Sequence, residues 1–287
     1  MFDKKINFSF EFFPPTSNVL SERGFWNSIK RLSSLNPDFY SITSGITSIR
    51  QKQTFSIVKK VIKKTNINIA VHMTCINNSI AELEQIAKNY WNQGIKRIVA
   101  LRGDKEKDFN NNKKIFASDL ISILKKIANF DISVAAYPEV HPEAKSAHSD
   151  LMNLKHKFSC GANRAITQFF FDPNKFLRFR DKCIKNGIYL DLIPGILPVI
   201  NIDQIHRFSK MSNIFIPKWI YKIFDNLSNS SSDQLINKLI GQSIITKIVE
   251  NLFCEGVNQF HFYTLNQYEI PYSSCLILKM KNKFKSL

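Results

Sequence analysis

The stretch that decides the fold of this chain reads Asn92-Gln93-Gly94-Ile95-Lys96-Arg97-Ile98-Val99-Ala100-Leu101. A helical pattern ends just before Gly94, and an apolar run of the kind found in buried strands begins a few residues later. Glycine at the end of a helix can take the left-handed backbone conformation without a Cβ penalty, which releases the chain into the next element. The stretch therefore predicts a unit made of a helix, a glycine, a short turn and a strand.

The same unit recurs three more times, around Gly161, Gly187 and Gly256. Between these copies, apolar runs with strand character alternate with amphipathic helical patterns. The strands are predicted at 7–12, 39–43, 68–72, 97–101, 133–136, 165–169, 190–193 and 259–263. The helices are predicted at 19–35, 51–64, 79–92, 118–128, 147–159, 174–186, 203–211 and 234–255, with additional ones at 217–226 and 267–281.

Strict alternation of strands and helices predicts an α/β fold with a parallel sheet, and eight units predict a single (β/α)8 TIM barrel with extra helices. A doubly wound sheet is the weaker alternative, because no GxGxxG follows a strand and no GxxxxGK[ST] occurs. Residues 105–114 and 228–232 are polar and are interpreted as loops. We therefore expect one catalytic barrel domain over 1–287, with no regulatory domain.

Composition excludes several classes of protein. The 287 residues are 44% hydrophobic, which suits one large core, and no apolar run nears the roughly 18 residues of a membrane span. No signal-peptide pattern is present, and the five cysteines form no CxxC pair, so we expect a cytoplasmic protein without disulfides or a metal site. The net charge of +17 is spread over helical patterns, so we expect no nucleic-acid binding.

A glutamate marks the end of the first predicted strand. Glu11 lies within Phe8-Ser9-Phe10-Glu11-Phe12-Phe13, directly before Pro14-Pro15. Aromatic residues alternate here as in a strand, and proline ends it. The flanking phenylalanines predict a dehydrated carboxyl with a raised pKa, which a general acid requires near neutral pH. The alternative is a structural ion pair with a neighbouring lysine or arginine.

Polar and ionisable residues also follow the other predicted strands, at the end of a β/α barrel where active sites are built. They are Thr43, His72, Arg102, Gly103, Asp104, Tyr137, His141, Gln168, Gly195, Tyr263 and Thr264. Taken singly, His72 is explained as a core histidine and Gln168 as a loop cap. Arg102 and Asp104 are explained as an ion pair across a turn. Their joint position predicts an active site at this rim.

Several stretches resemble a known family. They lie at 9–15, 72–75, 100–104, 135–144, 163–172, 193–198 and 261–266, and one of them contains Tyr137-Pro138-Glu139-Val140-His141-Pro142-Glu143-Ala144. They occur in order across nearly the whole chain, and the long central ones are highly specific. On these residues the chain closely resembles bacterial methylenetetrahydrofolate reductase, a family of flavin-dependent β/α barrels.

The resemblance implies a reaction, its partners and two catalytic residues. NADH would reduce a bound FAD, and 5,10-methylenetetrahydrofolate would then be reduced to 5-methyltetrahydrofolate in a ping-pong hydride relay that feeds methyl groups to methionine synthesis. Glu11 matches the family's proton donor, and Asp104 matches the aspartate that touches both flavin and folate. The substrate contacts implied are Asp104, Gln168, Gln204, Phe208 and Gln267. A homotetramer is implied as well.

The resemblance also implies a set of flavin contacts. They are Thr43, Ser44, Ile46, His72, Arg102, Gly103, Asp104, Ala117, Tyr137, His141, Ala144, Asp150, Asn153, His156 and Lys157. Relatives commonly carry an aromatic residue at the position of Ser44 and an arginine at those of His156 and Gln267. Loss of arginine removes a permanent charge and a bidentate donor, so weaker flavin and folate binding is expected.

Two other functions stay open at this point. One is a different flavin- or phosphate-binding barrel enzyme, which would keep the fold and change the substrate. The other is a basic binding protein whose barrel has no catalytic activity.

Overall fold

The computed structural model describes residues 5–16, 18–44, 48–103, 115–199, 202–225 and 234–285, in which strands and helices alternate. The strands are β1 (Asn7–Phe12), β2 (Phe39–Ile42), β3 (Asn68–Thr74), β4 (Arg97–Leu101), β5 (Asp131–Ala136), β6 (Arg164–Thr167), β7 (Asp191–Ile193), β8 (Gly195–Ile196) and β9 (Gln259–Tyr263). The predicted α/β class is confirmed. The loops predicted at 105–114 and 228–232 lie outside the described residues.

Ten helices are seen in these segments, including the two additional ones that the sequence predicts. They are α1 (Val19–Ser33), α2 (Ser48–Thr65), α3 (Ile80–Asn92), α4 (Ala117–Ile127), α5 (Ala147–Ser159), α6 (Pro173–Lys185), α7 (Ile202–Ser212), α8 (Lys218–Asp225), α9 (Gln234–Cys254) and α10 (Glu269–Lys285). Within the part of the chain that the structure covers, none of them is long and apolar enough to cross a bilayer.

The strands of the described segments form one parallel sheet in the order β7-β6-β5-β4-β3-β2-β1-β9-β8. The two ends of this order are neighbours along the chain, because only Pro194 separates β7 from β8. β7 pairs with β6, β8 pairs with β9, and the His261 N–H donates to the Pro194 carbonyl at 3.0 Å. The strands therefore surround a barrel interior, as the sequence predicted. The seam, where the two ends of the sheet meet, lies at Pro194.

The seventh position of the barrel differs from the prediction of one strand at 190–193. The structure divides this position into β7 and β8, which pair with different neighbours. Proline has no N–H to give to a sheet ladder, so the pairing changes sides at Pro194.

The four glycines of the repeated unit end their helices as predicted. Their φ angles are 81°, 110°, 72° and 85° for Gly94, Gly161, Gly187 and Gly256. After α3, the Gly94 N–H donates to the Trp91 carbonyl and the Ile95 N–H to the Tyr90 carbonyl, both at 3.0 Å. This pair of bonds satisfies two carbonyls at the helix end and needs a left-handed residue between them. The same pair of bonds closes α5, α6 and α9.

Alternation along the strands separates the barrel interior from the side that packs against helices. On β1, Phe8, Phe10 and Phe12 are buried, and the Phe12 ring meets Phe25 of α1 with centroids 5.7 Å apart. Ser9 and Glu11 alternate with them and face the interior. A separate interior cluster contains Phe39, Ala70, Val99, Ile166 and Ile193. The pattern of β1 therefore fixes the direction in which Glu11 points.

The amino-terminal end of the barrel is closed by an ion-pair network that the sequence did not predict. Arg164 binds both carboxylate oxygens of Asp131, at 2.6 and 3.0 Å. Arg97 Nε lies 3.2 Å from the same carboxylate, and its NH1 atom lies 3.1 Å from Asp38. Both guanidinium groups lie within 6 Å of the Phe39 ring centroid, where the ring attracts cations. This network seals the end opposite to Glu11.

Candidate active site

Glu11 lies between two histidines at the carboxyl end of the barrel. Its Oε2 atom is 3.3 Å from His72 Nε2 on β3 and 3.8 Å from His261 Nε2 on β9. The side chains of Glu11 and His72 are 14% and 11% exposed, and that of His261 is 0% exposed. Among the described residues, His72 Nε2 makes no aligned hydrogen bond, so its attraction to Glu11 is chiefly electrostatic. Within the described segments, the charged partners of Glu11 are thus histidines, not the lysine or arginine of the structural alternative.

His261 is a candidate functional residue that the sequence analysis did not single out. Its Nδ1 atom is hydrogen-bonded to Ser9 Oγ at 2.8 Å, and its Nε2 atom lies 3.5 Å from Ser41 Oγ. A hydroxyl partner at Nδ1 sets which ring nitrogen faces the carboxylate. A signal was present in the sequence: Phe260-His261-Phe262 repeats the arrangement of Phe10-Glu11-Phe12, with one ionisable residue at the interior position of an aromatic strand.

The pKa of Glu11 differs from the expectation. Burial raises the pKa, but the charge and hydrogen bonding of His72 and His261 outweigh burial and hold it at about 2. The prediction of a raised pKa for Glu11 is therefore wrong, because it rested on the flanking phenylalanines and left out the histidines that β3 and β9 contribute. Burial lowers the pKa of His261, against the opposing effect of Glu11. The resting site thus holds an ionised Glu11, which must take up a proton before it can donate one.

This depressed pKa predicts a pH-dependent contribution to stability. The pKa of Glu11 is about 2 in the folded protein, against an ordinary value of 4.5. Such a group stabilises the fold fully above the unfolded pKa and loses that contribution, about 3 kcal/mol in all, as pH falls toward the folded pKa. The difference in free energy of unfolding between the natural protein and Glu11→Gln should therefore shrink as pH falls from about 5 to about 3. Urea unfolding at several pH values measures it, and a difference independent of pH would contradict the depressed pKa.

Three basic side chains lie together after β4 and β5, and we call Arg102, His141 and Lys157 the basic cluster. The His141 backbone N–H donates to Asp150 Oδ2 at 2.9 Å, and Lys157 Nζ donates to the Ala135 carbonyl at 3.0 Å. Burial lowers the pKa of both His141 and Lys157, while Asp150 opposes the change. Asp150 and Lys157 of α5 therefore act on the same small volume.

The loop from β5 to α5 holds its aromatic groups in fixed positions. The Glu143 N–H donates to His141 Nδ1 at 3.0 Å, and the carboxylate of Glu143 lies 2.6 Å from Arg102 NH1. The Tyr137 and His141 rings meet edge to face with centroids 4.5 Å apart. Because His141 Nδ1 accepts a hydrogen bond, the ring carries its proton on Nε2 when neutral. Arg102 therefore pairs with Glu143, and the turn-spanning partner considered from the sequence, Asp104, lies outside the described residues.

The remaining predicted flavin contacts are placed as follows. Thr43, Ser44, Gly103 and Ala144 are partly exposed, Ala117 is buried at the start of α4, and Asn153 and His156 are exposed on α5. The His156 ring lies against Cys160, with Nε2 3.8 Å from Sγ. Ile46 and Asp104 lie outside the described residues. The catalytic role of Asp104 stays a prediction.

Four of the five predicted substrate contacts occupy the other side of the rim: Gln168 follows β6, Gln204 and Phe208 belong to α7, and Gln267 follows β9. Gln168 Nε2 donates to Ser212 Oγ at the end of α7 at 3.2 Å, and its Oε1 atom accepts the Phe169 N–H at 3.1 Å. Gln168 therefore bonds to its own loop, as the structural alternative held, and it also fastens α7. Gln204 and Phe208 are four residues apart on α7 and so share a face.

The rim thus has two sides, with a cluster of ionisable side chains between them. The basic cluster follows β4 and β5, and the amide and aromatic side chains follow β6, β8 and β9. Glu11, His72 and His261 occupy the mouth of the barrel between these sides. The arrangement can bind an anionic ligand on one side and move a proton to or from a second ligand on the other.

The chain matches known proteins over nearly its whole length. Residues 1–279 match the family model for methylenetetrahydrofolate reductase. The chain is 53% identical over 274 residues to the 5,10-methylenetetrahydrofolate reductase of Buchnera aphidicola subsp. Acyrthosiphon pisum, covering 95% of this chain and 92% of the relative. It is 50% identical over 277 residues to the enzyme of the same name from Escherichia coli strain K12, covering 96% and 92%.

Among solved structures, the chain resembles an uncharacterized protein from Clostridium thermocellum that binds two copies of 5-methyl-5,6,7,8-tetrahydrofolic acid. The TM-score is 0.63 at 16% identity, covering 98% of this chain and 97% of that one. This likeness shows the barrel fold alone. The sequence matches extend over nearly the whole chain, and they show that the chain belongs to the methylenetetrahydrofolate reductase family, oxidoreductases that reduce 5,10-methylenetetrahydrofolate.

Proposed function

We propose that this protein reduces 5,10-methylenetetrahydrofolate to 5-methyltetrahydrofolate with NADH and a bound FAD. The observation that carries the proposal is Glu11 at the barrel mouth, 3.3 Å from His72, at the same end of the barrel as the basic cluster. When bound, FAD supplies the two-electron chemistry that links the nicotinamide to the folate. The chain itself supplies binding, orientation and a proton.

The basic cluster and its neighbours fit the chemistry of a dinucleotide cofactor. Arg102 and Lys157 offer positive charge and N–H donors of the kind that a pyrophosphate requires. Asp150 offers acceptor oxygens for ribose hydroxyls, and it already accepts from the His141 N–H at 2.9 Å. His72 Nε2 is buried without an aligned hydrogen bond within the described segments, so a ligand group placed there would satisfy it. These residues would hold the cofactor on this side of the rim.

The proton for the folate is proposed to come from Glu11. Opening the imidazolidine ring of the substrate requires a proton at the departing nitrogen. In the resting site Glu11 is ionised, because His72 and His261 depress its pKa. A bound substrate excludes water from the rim, and loss of water favours a neutral acid over a carboxylate. Substrate binding would thus raise the pKa of Glu11, which would take up a proton from solvent and then donate it to the folate.

A spectroscopic experiment tests the proposed function against its alternatives. Purified protein is expected to show flavin absorbance, to lose it on anaerobic addition of NADH, and to regain it when 5,10-methylenetetrahydrofolate is added. A colourless protein that does not take up FAD would indicate a barrel without catalytic activity. Loss of absorbance with NADH and no recovery with the folate would indicate a flavin enzyme with another substrate.

The setting of the reaction follows from the same family resemblance. We place the enzyme in the cytoplasm as a homotetramer, with its methyl product feeding methionine synthesis. The cysteines Cys75, Cys160, Cys183, Cys254 and Cys275 are all free thiols, which is compatible with a reducing compartment. The positive net charge is assigned to the helix surfaces, with no role for nucleic acid.

A further inference from the structure

Glu139 is a buried carboxylate at the rim that the proposed chemistry does not use. It lies in the loop between β5 and α5, and its side chain is 6% exposed. The next residue, Val140, has a φ of +73°, a left-handed conformation that β-branched residues rarely adopt. Such strain persists only where the surrounding contacts hold it. The position of Glu139 is therefore enforced by its neighbours.

Glu139 joins three separate segments of the rim. Its Oε2 atom accepts the Phe215 N–H at 3.3 Å, in the linker between α7 and α8. The same atom lies 3.6 Å from Lys175 Nζ at the start of α6. Burial raises the pKa of Glu139, while Lys175 and the Phe215 N–H oppose the rise and Asp172 adds to it. A buried carboxylate on a strained loop thus ties the linker to the barrel.

The linker that Glu139 holds follows directly from the helix that carries two predicted substrate contacts. Ser212, the last residue of α7, accepts a hydrogen bond from Gln168 Nε2 at 3.2 Å. The Phe215 N–H is bonded to Glu139 three residues later. The carboxyl end of α7 is therefore fixed at two points, one on the loop after β6 and one on the loop after β5. Both hydrogen bonds therefore help to set the positions of Gln204 and Phe208 over the rim.

We propose that Glu139 is a positioning residue for folate binding, which acts by hydrogen-bonding the Phe215 backbone and so holding α7 against Gln168. The proposal rests on the proposed function of this site. Oriented groups bind a ligand more tightly when their order is established before binding, because less conformational entropy is lost. In the sequence, Glu139 also lies between Tyr137 and His141, two predicted flavin contacts. An effect of Glu139 on FAD binding is therefore the competing explanation. The two explanations predict changes in different affinities.

The test compares Glu139→Ala with Glu139→Gln, and uses Asp181→Ala as the control because Asp181 is an exposed carboxylate on α6. Calorimetry measures 5-methyltetrahydrofolate binding to the flavin-loaded proteins, and flavin fluorescence measures FAD binding. Glu139→Ala is expected to weaken folate binding about tenfold or more and leave FAD affinity unchanged. Glu139→Gln keeps an acceptor for the Phe215 N–H and should stay within about threefold of the natural protein. The control should match the natural protein.

Hydrogen exchange provides a readout that does not depend on folate. Peptides covering 208–217 should exchange faster in Glu139→Ala than in the natural protein, and Glu139→Gln should restore slow exchange. Equal losses of folate and FAD affinity, unchanged folate affinity, or a Gln variant that behaves like Ala would each overturn the proposal. If the natural protein binds no folate, the proposed function fails, while the exchange data still decide whether Glu139 holds the linker.

Discussion

Glu11→Gln is expected to slow reduction of the folate by about 10²–10⁴-fold, which is the usual cost of losing a positioned general acid. Glutamine has nearly the same shape as glutamate, so it can remain between His72 and His261. It cannot take up a proton and pass it to the departing nitrogen of the substrate. The step in which NADH delivers its hydride needs no proton from this side chain, so its rate should stay nearly unchanged.

Stopped-flow absorbance resolves the two half-reactions in separate experiments. A matched control is Glu84→Gln, which removes an exposed carboxylate that pairs with Lys88 on α3 and is not one of the rim residues. Both half-reactions of the control should match those of the natural protein. Equal slowing of the two half-reactions in Glu11→Gln would remove Glu11 from the role of proton donor and point to a general disturbance of the barrel mouth.

Much of the fold could be predicted because its signals are local. Each glycine of the repeated unit ends a helix through hydrogen bonds that reach back three and five residues, so the sequence contains the whole motif. The direction of Glu11 was also local, because alternation on β1 assigns every second side chain to the interior. Pro194 was visible in the sequence, but its effect depends on which strands flank it. The division into β7 and β8 therefore required the structure.

The chemistry of the site was harder to predict because it depends on register between distant strands. Ser9 and His261 are hydrogen-bonded although 252 positions separate them along the chain. A shift of one residue in the pairing of β1 with β9 would turn His261 toward the helices and leave Glu11 without one of its partners. Local reasoning thus predicted the burial of Glu11 correctly, but it gave the wrong direction for the pKa. The contacts of Glu139 with Phe215 and Lys175 were missed for the same reason.

The seam of the barrel offers the largest expected effect on stability. Gly195 opens β8, where its N–H donates to Thr167 Oγ1 at 3.0 Å, and the Tyr263 hydroxyl donates to the Thr167 carbonyl at 2.8 Å. A Cβ atom at Gly195 would stand 2.6 Å from the Tyr263 ring and closer still to the Thr167 carbonyl oxygen. The obstacle is partly backbone, which cannot rotate away as the end of a flexible side chain can. The added methyl group must therefore push β8 away from its neighbours.

Gly195→Ala is accordingly expected to lower the free energy of unfolding by about 3–5 kcal/mol, from overpacking and from loss of the buried hydrogen bond between Tyr263 and Thr167. Urea unfolding followed by circular dichroism measures this loss. The matched control is Gly24→Ala in the middle of α1, where an added Cβ meets nothing within 4 Å. There the same substitution should stabilise the protein by about 0.5–1 kcal/mol, because alanine favours the helix and restricts the unfolded chain. If the free energy of unfolding falls in Gly195→Ala and rises in Gly24→Ala, the close approach of the backbone at Gly195 is needed to keep the seam closed. A Gly195→Ala protein as stable as the natural one would mean that β8 can move outward at little cost, and that the barrel does not depend on this contact for its closure.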